Sequence, residues 1–112
     1  MITGYKFGSI TIDGQSYGTD VIVYSDRVDD TWWRREGHSL CLEDLRGVCD
    51  AHPDTLVVGT GYYGRMQIAP ELPEALRQRG ISLVVDKTAE ACTKYNRLKE
   101  TGNVVAALHL TC

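Results

Sequence analysis

The sequence predicts a single α/β domain built on a mixed β-sheet. Three observations carry this. A short apolar run, Leu56–Val58, breaks into three glycines within six residues, Gly59, Gly61 and Gly64. Helix and strand patterns alternate after that run, and a β-rich stretch punctuated by turn dipeptides precedes it. With 112 residues the chain has room for one domain with its own core, and it contains no linker, internal repeat or low-complexity segment.

The preface opens with two short strands, Tyr5–Phe7 and Ser9–Ile12. Asp13-Gly14 then supplies a hairpin turn, and Ser16–Tyr17 begins the return. Thr19–Tyr24 holds the β-branched run Val21-Ile22-Val23, the composition of a strand buried on both faces. Asp26–Asp30 reads as a polar turn. Thr31–Arg35 reads as extended, with Trp32 and Arg34 on one face and Trp33 and Arg35 on the other, until Gly37 breaks it.

Leu42–Ala51 carries Leu42, Leu45, Val48 and Cys49 at helical spacing. Gly47 lowers its intrinsic propensity and Pro53 ends it. The strand Leu56–Val58 and its glycine loop follow. Pro70 and Pro73 bracket the start of a helix whose buried face is Leu72, Ala75 and Leu76, with Gly80 as its left-handed cap. Ile81–Val85 is a second buried strand. Thr88 is the expected N-cap of a helix with Ala91, Cys92, Tyr95 and Leu98 inward, ending near Gly102. Asn103–Leu110 is the last strand.

Composition narrows the function. The net charge is −3 with Lys and Arg scattered, so no phosphate-backbone footprint exists and no nucleic-acid partner is expected. No apolar run approaches a membrane span. The opening MITGYKFGSI lacks a signal-peptide pattern, which makes the cytoplasm the expected compartment. Cys41, Cys49, Cys92 and Cys112 form no C-x-x-C pair or zinc spacing. They are expected to be reduced, Cys49 and Cys92 on helix stripes and Cys112 with an exposed thiol that nothing activates. No metal and no cofactor are expected.

Gly59–Gly64 spells G-x-G-x-x-G, and Asp86 ends the following strand where a dinucleotide fold keeps its ribose carboxylate. The match fails on context. Arg65–Pro70 separates the third glycine from any helix, and the chain is too short for two mononucleotide halves. The glycines read instead as a sharp turn with close backbone approach. A looser candidate remains: an anion or small-ligand site from Gly59, Thr60, Gly61, Tyr62 and Gly64, completed by Asp86, Thr88, Tyr95 and Asn96 at the next strand–helix junction. His38, His109 and Cys112 share no ligand spacing, and His52 lies beside Pro53 in a surface turn. A second candidate is an interaction patch, Trp32, Trp33, Arg34, Arg35 and His38, which joins aromatics to arginine as interface hot spots do. One tryptophan is expected in the core and the other exposed beside Arg35.

Five stretches carry a family resemblance: Ile12-Asp13-Gly14 with Tyr17; Trp33–His38; Val58–Gly61 with Pro70; Thr88–Asn96; and Val104–Leu110. Together they resemble a family of small single-domain proteins that includes the adipogenesis-associated domain protein and a mitochondrial complex I assembly factor. The Gly-Thr-Gly loop followed by Thr-x-x-Ala and Tyr-Asn is the specific part. Where many relatives have an acidic–Gly–Arg stretch, this chain has Glu100-Thr101-Gly102-Asn103, so no role resting on that arginine carries over. The resemblance implies a three-layer domain, a central mixed sheet flanked by helices with an added β-hairpin layer. It implies assembly or regulation through partner proteins and no established enzyme activity. The expectation is therefore a non-enzymatic interaction domain with a protein partner, monomeric or weakly homodimeric. The alternative is ligand binding or catalysis at the glycine loop.

Overall fold

The computed structural model describes residues 1–112, and its fold follows from how each apolar stretch finds a partner. β1 (Ile2–Lys6), β2 (Ser9–Ile12) and β3 (Gln15–Tyr17) form an antiparallel three-stranded sheet. The β2–β3 turn is two residues long, Ile12 pairing with Gln15. Asp13 (φ 48°) and Gly14 (φ 83°) both occupy the left-handed region that such a turn demands.

The central sheet has the order β5-β4-β10-β7-β9. Its strands are β4 (Val21–Val23), β5 (Val28–Asp29), β7 (Thr55–Thr60), β9 (Ser82–Asp86) and β10 (Val104–His109). β10 pairs parallel with β7 and antiparallel with β4, and β7 pairs parallel with β9, so the sheet is mixed. The α3 helix (Thr88–Leu98) carries the chain from β9 back across β7 to β10. Strand alternation then sorts two cores. Val21, Val23, Val57, Ala106 and Leu108 pack with α3 and the N-terminal sheet. Ile22, Leu56, Val58, Val105 and Ala107 pack with α1 (Arg46–Ala51) and α2 (Leu72–Gln78). The result is a three-layer α/β domain.

Several expected elements differ. β1 begins at Ile2, three residues before the strand expected there. β5 lies inside the expected polar turn Asp26–Asp30. Two short strands, β6 (Ser39–Leu40) and β8 (Gln67–Ile68), pair in parallel where the sequence offered no strand pattern. Thr31–Arg35 forms no ladder. The N–H groups at its two ends go to carboxylates, Thr31 to Asp29 Oδ1 at 2.9 Å and Arg35 to Asp44 Oδ1 at 3.0 Å. Leu42–Ala51 splits into a 3-10 turn, Leu42–Leu45, and then α1, because Asp44 also reaches back to the Cys41 N–H at 3.0 Å. Thr88 is the first residue of α3, not its cap. Lys87 holds the cap position, and the Thr88 hydroxyl points into the sheet.

Candidate functional site

The C-terminal ends of β7, β9 and β10 meet at the glycine loop, the edge where α/β sheets usually place ligands. Gly59 stands level with Leu108 on β10 and Asp86 on β9. A Cβ there would lie 2.7 Å from Thr88 Oγ1 and 3.0 Å from Thr88 Cα, so the absence of a side chain lets α3 start directly against the strand. Thr88 is fully buried. Its hydroxyl accepts from the Gly61 N–H at 2.9 Å and donates to the His109 carbonyl at 2.6 Å. Thr60 Oγ1 donates to the Asp86 carbonyl at 3.1 Å. The three strand ends are thus tied together by two threonine hydroxyls.

All but one of the loop's remaining backbone donors, the Tyr63 N–H, are also occupied. Tyr62 N–H bonds the Thr111 carbonyl at 2.6 Å, Gly64 bonds Gly61 at 3.3 Å, Arg65 bonds Cys112 at 2.9 Å and Met66 bonds Thr60 at 3.1 Å. Gly61, at φ 110°, lies so close to the Thr111–Cys112 backbone that any Cβ would overlap it. The segment after β10 is clamped further by Gly8 N–H and the Tyr5 hydroxyl, both donating to the Leu110 carbonyl at 2.9 Å. Burial pushes the Tyr5 phenol up to about 12, against the lowering influence of Thr88, so Tyr5 is a neutral donor.

The other candidate loop residues scatter. Asp86 is ion-paired with Lys94. Tyr95 is buried in the core under β1–β3, beneath the Lys99 ammonium at 5.7 Å. Asn96 binds both backbone groups of Ile2, accepting from N–H at 2.9 Å and donating to the carbonyl at 2.7 Å. Neither residue joins the loop; they fasten α3 to β1.

What the loop does present is aromatic. Tyr62 and Tyr63 are about half exposed and contact each other edge to face, centroids 5.0 Å apart. Phe7, from the β1–β2 turn, lies 6.0 Å from Tyr62 and 6.1 Å from Tyr63. The Arg65 guanidinium sits 5.7 Å from the Tyr63 ring. Only the tertiary fold brings Phe7 here. The Tyr-Tyr doublet was visible in sequence, but its exposure was not.

In the second candidate cluster, the alternation read from Thr31–Arg35 survives without a strand. Trp32 is partly buried against the α1–α2 core and donates its Nε1–H to the Asp44 carbonyl at 2.9 Å, whereas Trp33 is 75% exposed. The expected pairing of an exposed tryptophan with Arg35 is not formed. Arg34 instead lies over Trp32 at 4.9 Å, and Arg35 pairs with Glu43 at 3.3 Å. Trp32, Trp33, Tyr24, Arg35 and Arg46 line an open groove of about 490 Å³. His38 is exposed, its ring edge-on to His109 at 6.2 Å.

Arg34 turns inward to a polar triad whose third member, Asp20, has no neighbour in sequence to announce it. Arg34 Nη1 and His109 Nδ1 each lie 2.7 Å from Asp20 Oδ2, while the Leu110 N–H donates to Oδ1 at 2.8 Å. Burial alone would raise the Asp20 carboxyl. The bonds from His109, Leu110 and Arg34 outweigh it and hold Asp20 at about 2. Arg34 Nη2 donates to the Gly37 carbonyl at 2.8 Å, which fixes the loop carrying His38. All four cysteines are unpaired, and no cluster of three His, Cys, Asp or Glu side chains is placed to hold a metal. No helix is long and apolar enough to cross a membrane.

The sequence profile of a family described as "Protein of unknown function (DUF498/DUF598)" matches residues 2–109. Among solved structures, a conserved hypothetical protein from Pyrococcus horikoshii is 28% identical with a TM-score of 0.84, covering 100% of this chain and 99% of that one. The Rpa2829 protein from Rhodopseudomonas palustris is 31% identical with a TM-score of 0.75, over 97% of this chain and 82% of that one. A protein from Bartonella henselae described as an outer membrane protein shares the fold, with a TM-score of 0.80 at 22% identity, covering 99% and 94%.

Proposed function

The chain belongs to the DUF498/DUF598 family of proteins of unknown function, and from that premise we propose that it is a non-enzymatic interaction domain of the assembly or regulatory kind. Its contact surface is the aromatic cluster Phe7, Tyr62, Tyr63 with Arg65, and its occupant is a cytoplasmic protein partner. One observation carries the reading: three of the six large apolar side chains left exposed, Phe7, Tyr62 and Tyr63, gather in one place beside an arginine. Scattered exposed hydrophobics are ordinary, but a contiguous aromatic patch with arginine has the composition of an interface hot spot. The resemblance to proteins linked with assembly points the same way.

The rival, an anion or catalytic site in the glycine loop, has a single free backbone donor, the Tyr63 N–H. Five of the six N–H groups from Gly61 to Met66 are bonded within the chain. Trp33 and Arg35 beside their groove offer the same kind of contact on a second surface, supported by the exposure of Trp33.

The test is site-specific photo-crosslinking in cells of the source organism. A photoreactive phenylalanine analogue at position 63 is expected to trap a discrete protein, and one at Arg77, on the exposed side of α2, is not. A third probe at position 33 reports on the second surface. Absence of any discrete adduct at 63 while 33 gives one would move the contact to the groove; absence at both would refute the interaction reading.

A further inference from the structure

The central sheet ends in two unlike edges. The β5 edge is two residues long, and short edge strands are a common protection against unwanted pairing. The β9 edge runs five residues, Ser82-Leu83-Val84-Val85-Asp86, in step with β7 throughout and without a bulge, a proline or a lysine. Ser82 N–H bonds the Asp54 carbonyl across to the β7 side at 2.9 Å, and the Asp86 carbonyl accepts from Thr60. Parallel pairing alternates, so Ser82, Val84 and Asp86 turn their backbone groups toward β7, and Leu83 and Val85 turn theirs outward. Val85 is also 41% exposed. The edge is an open template for another strand.

We infer that this edge pairs with the β9 edge of a second copy, antiparallel about a two-fold axis at Val84, to make a continuous ten-stranded sheet. In this register Val84 faces its own counterpart, Leu83 faces Val85, and Ser82 faces Asp86. Apolar residues oppose apolar ones, and no like charges stand opposite one another. The flanking helix favours the same occupant. α3 packs chiefly over β7 and β10 and more lightly over β9. Its stripe toward β9 is marked by Lys94, whose charge is already paired with Asp86. Glu90 and Arg97, four residues before Lys94 and three after it, are exposed on that stripe. Antiparallel copies of α3 flanking the axis bring the Glu90 of each toward the Arg97 of the other, a charge match that a second copy supplies by symmetry.

Sedimentation velocity from micromolar to near-millimolar concentration tests this. The wild-type chain is expected to move from monomer to dimer. Val85→Pro removes an N–H the monomer does not use and is expected to stay monomeric with an unchanged far-UV spectrum. Glu90→Arg or Arg97→Glu alone is expected to weaken the dimer roughly tenfold, and the two together to restore it. A wild-type chain that stays monomeric throughout overturns the inference, as does a folded Val85→Pro chain that still dimerises. Should Val85→Pro fail to fold, the charge swaps decide: reversals that leave dimerisation unchanged refute it.

Discussion

Thr88 Oγ1 donates to the His109 carbonyl at 2.6 Å while it accepts from the Gly61 N–H, so one buried hydroxyl joins the start of α3, the end of β10 and the glycine loop after β7. A hydroxyl both donates and accepts, which is why threonine suits a point where a free carbonyl and a free N–H face each other. Thr88→Val keeps the shape and strands both partners without water. Each unsatisfied buried group costs about 1–3 kcal/mol. The expected loss is at least about 2 kcal/mol in urea unfolding, with Thr88→Ser losing less. Equal losses for the two variants would mean that the hydroxyl is not what holds the junction.

Gly59→Ala tests the other half of that junction. The added methyl meets Thr88 Oγ1 at 2.7 Å, Thr88 Cα at 3.0 Å and Leu108 Cδ2 at 3.0 Å, and the Cα is backbone that cannot swing aside. Overpacking of this kind costs about 1–3 kcal/mol. Gly14→Ala is the control for chain stiffness, since nothing lies within 4 Å of its Cβ, although its φ of 83° carries strain of its own. A lowered urea midpoint with an unchanged m-value is expected for Gly59→Ala, and a variant as stable as wild type would show that α3 does not depend on this approach.

These two residues show what was legible in the sequence. The glycine run announced a turn with close approach, and the fold uses it so, but the surface that the loop contacts is α3 and the segment after β10, more than 25 residues away in sequence. Gly47 was read only as a weak helix position. Its reason is tertiary, because the Tyr24 hydroxyl fills the place of a Cβ. Strands were legible wherever a β-branched run such as Val21–Val23 must be covered on both faces, but the order in which they pair was not. β6 and β8 were not, since two-residue ladders carry no period to detect. Asp20 was invisible for a different reason: its partners, Arg34 and His109, lie far from it in sequence and meet it only in the fold.

Trp32 and Trp33 are expected to behave as opposites despite adjacency. Trp33→Ala removes a side chain 75% exposed and should change stability by less than about 0.5 kcal/mol. Trp32→Ala removes packing against the α1–α2 core, the Nε1–H bond to Asp44 and the surface on which Arg34 stacks, with a loss of about 2 kcal/mol or more. Iodide quenching separates them without mutation of the core: the Trp33→Ala chain should retain a blue-shifted, poorly quenched emission. Strong quenching in that variant would place Trp32 in solvent.

Asp20 gives the acid limb of stability a local origin. Its carboxyl is held at about 2, below the ordinary 3.8, so between those values the unfolded chain binds a proton that the folded chain does not. Stability from this group is therefore fully present above the ordinary value and is lost as pH falls toward about 2. Linkage puts the whole contribution at about 2 kcal/mol, and its partial loss from about pH 6 to about pH 3 at about 1 kcal/mol. Asp20→Asn removes the titration and also leaves the buried Arg34 guanidinium, whose side chain is 7% exposed, without its counter-ion. At neutral pH that variant should be less stable by about 3 kcal/mol or more. As the solution is acidified, the gap between wild type and variant should narrow, because the wild type alone loses the carboxylate term. Urea titrations of both chains across that range read the gap directly, and one that stays constant would mean that the triad does not hold Asp20 ionised.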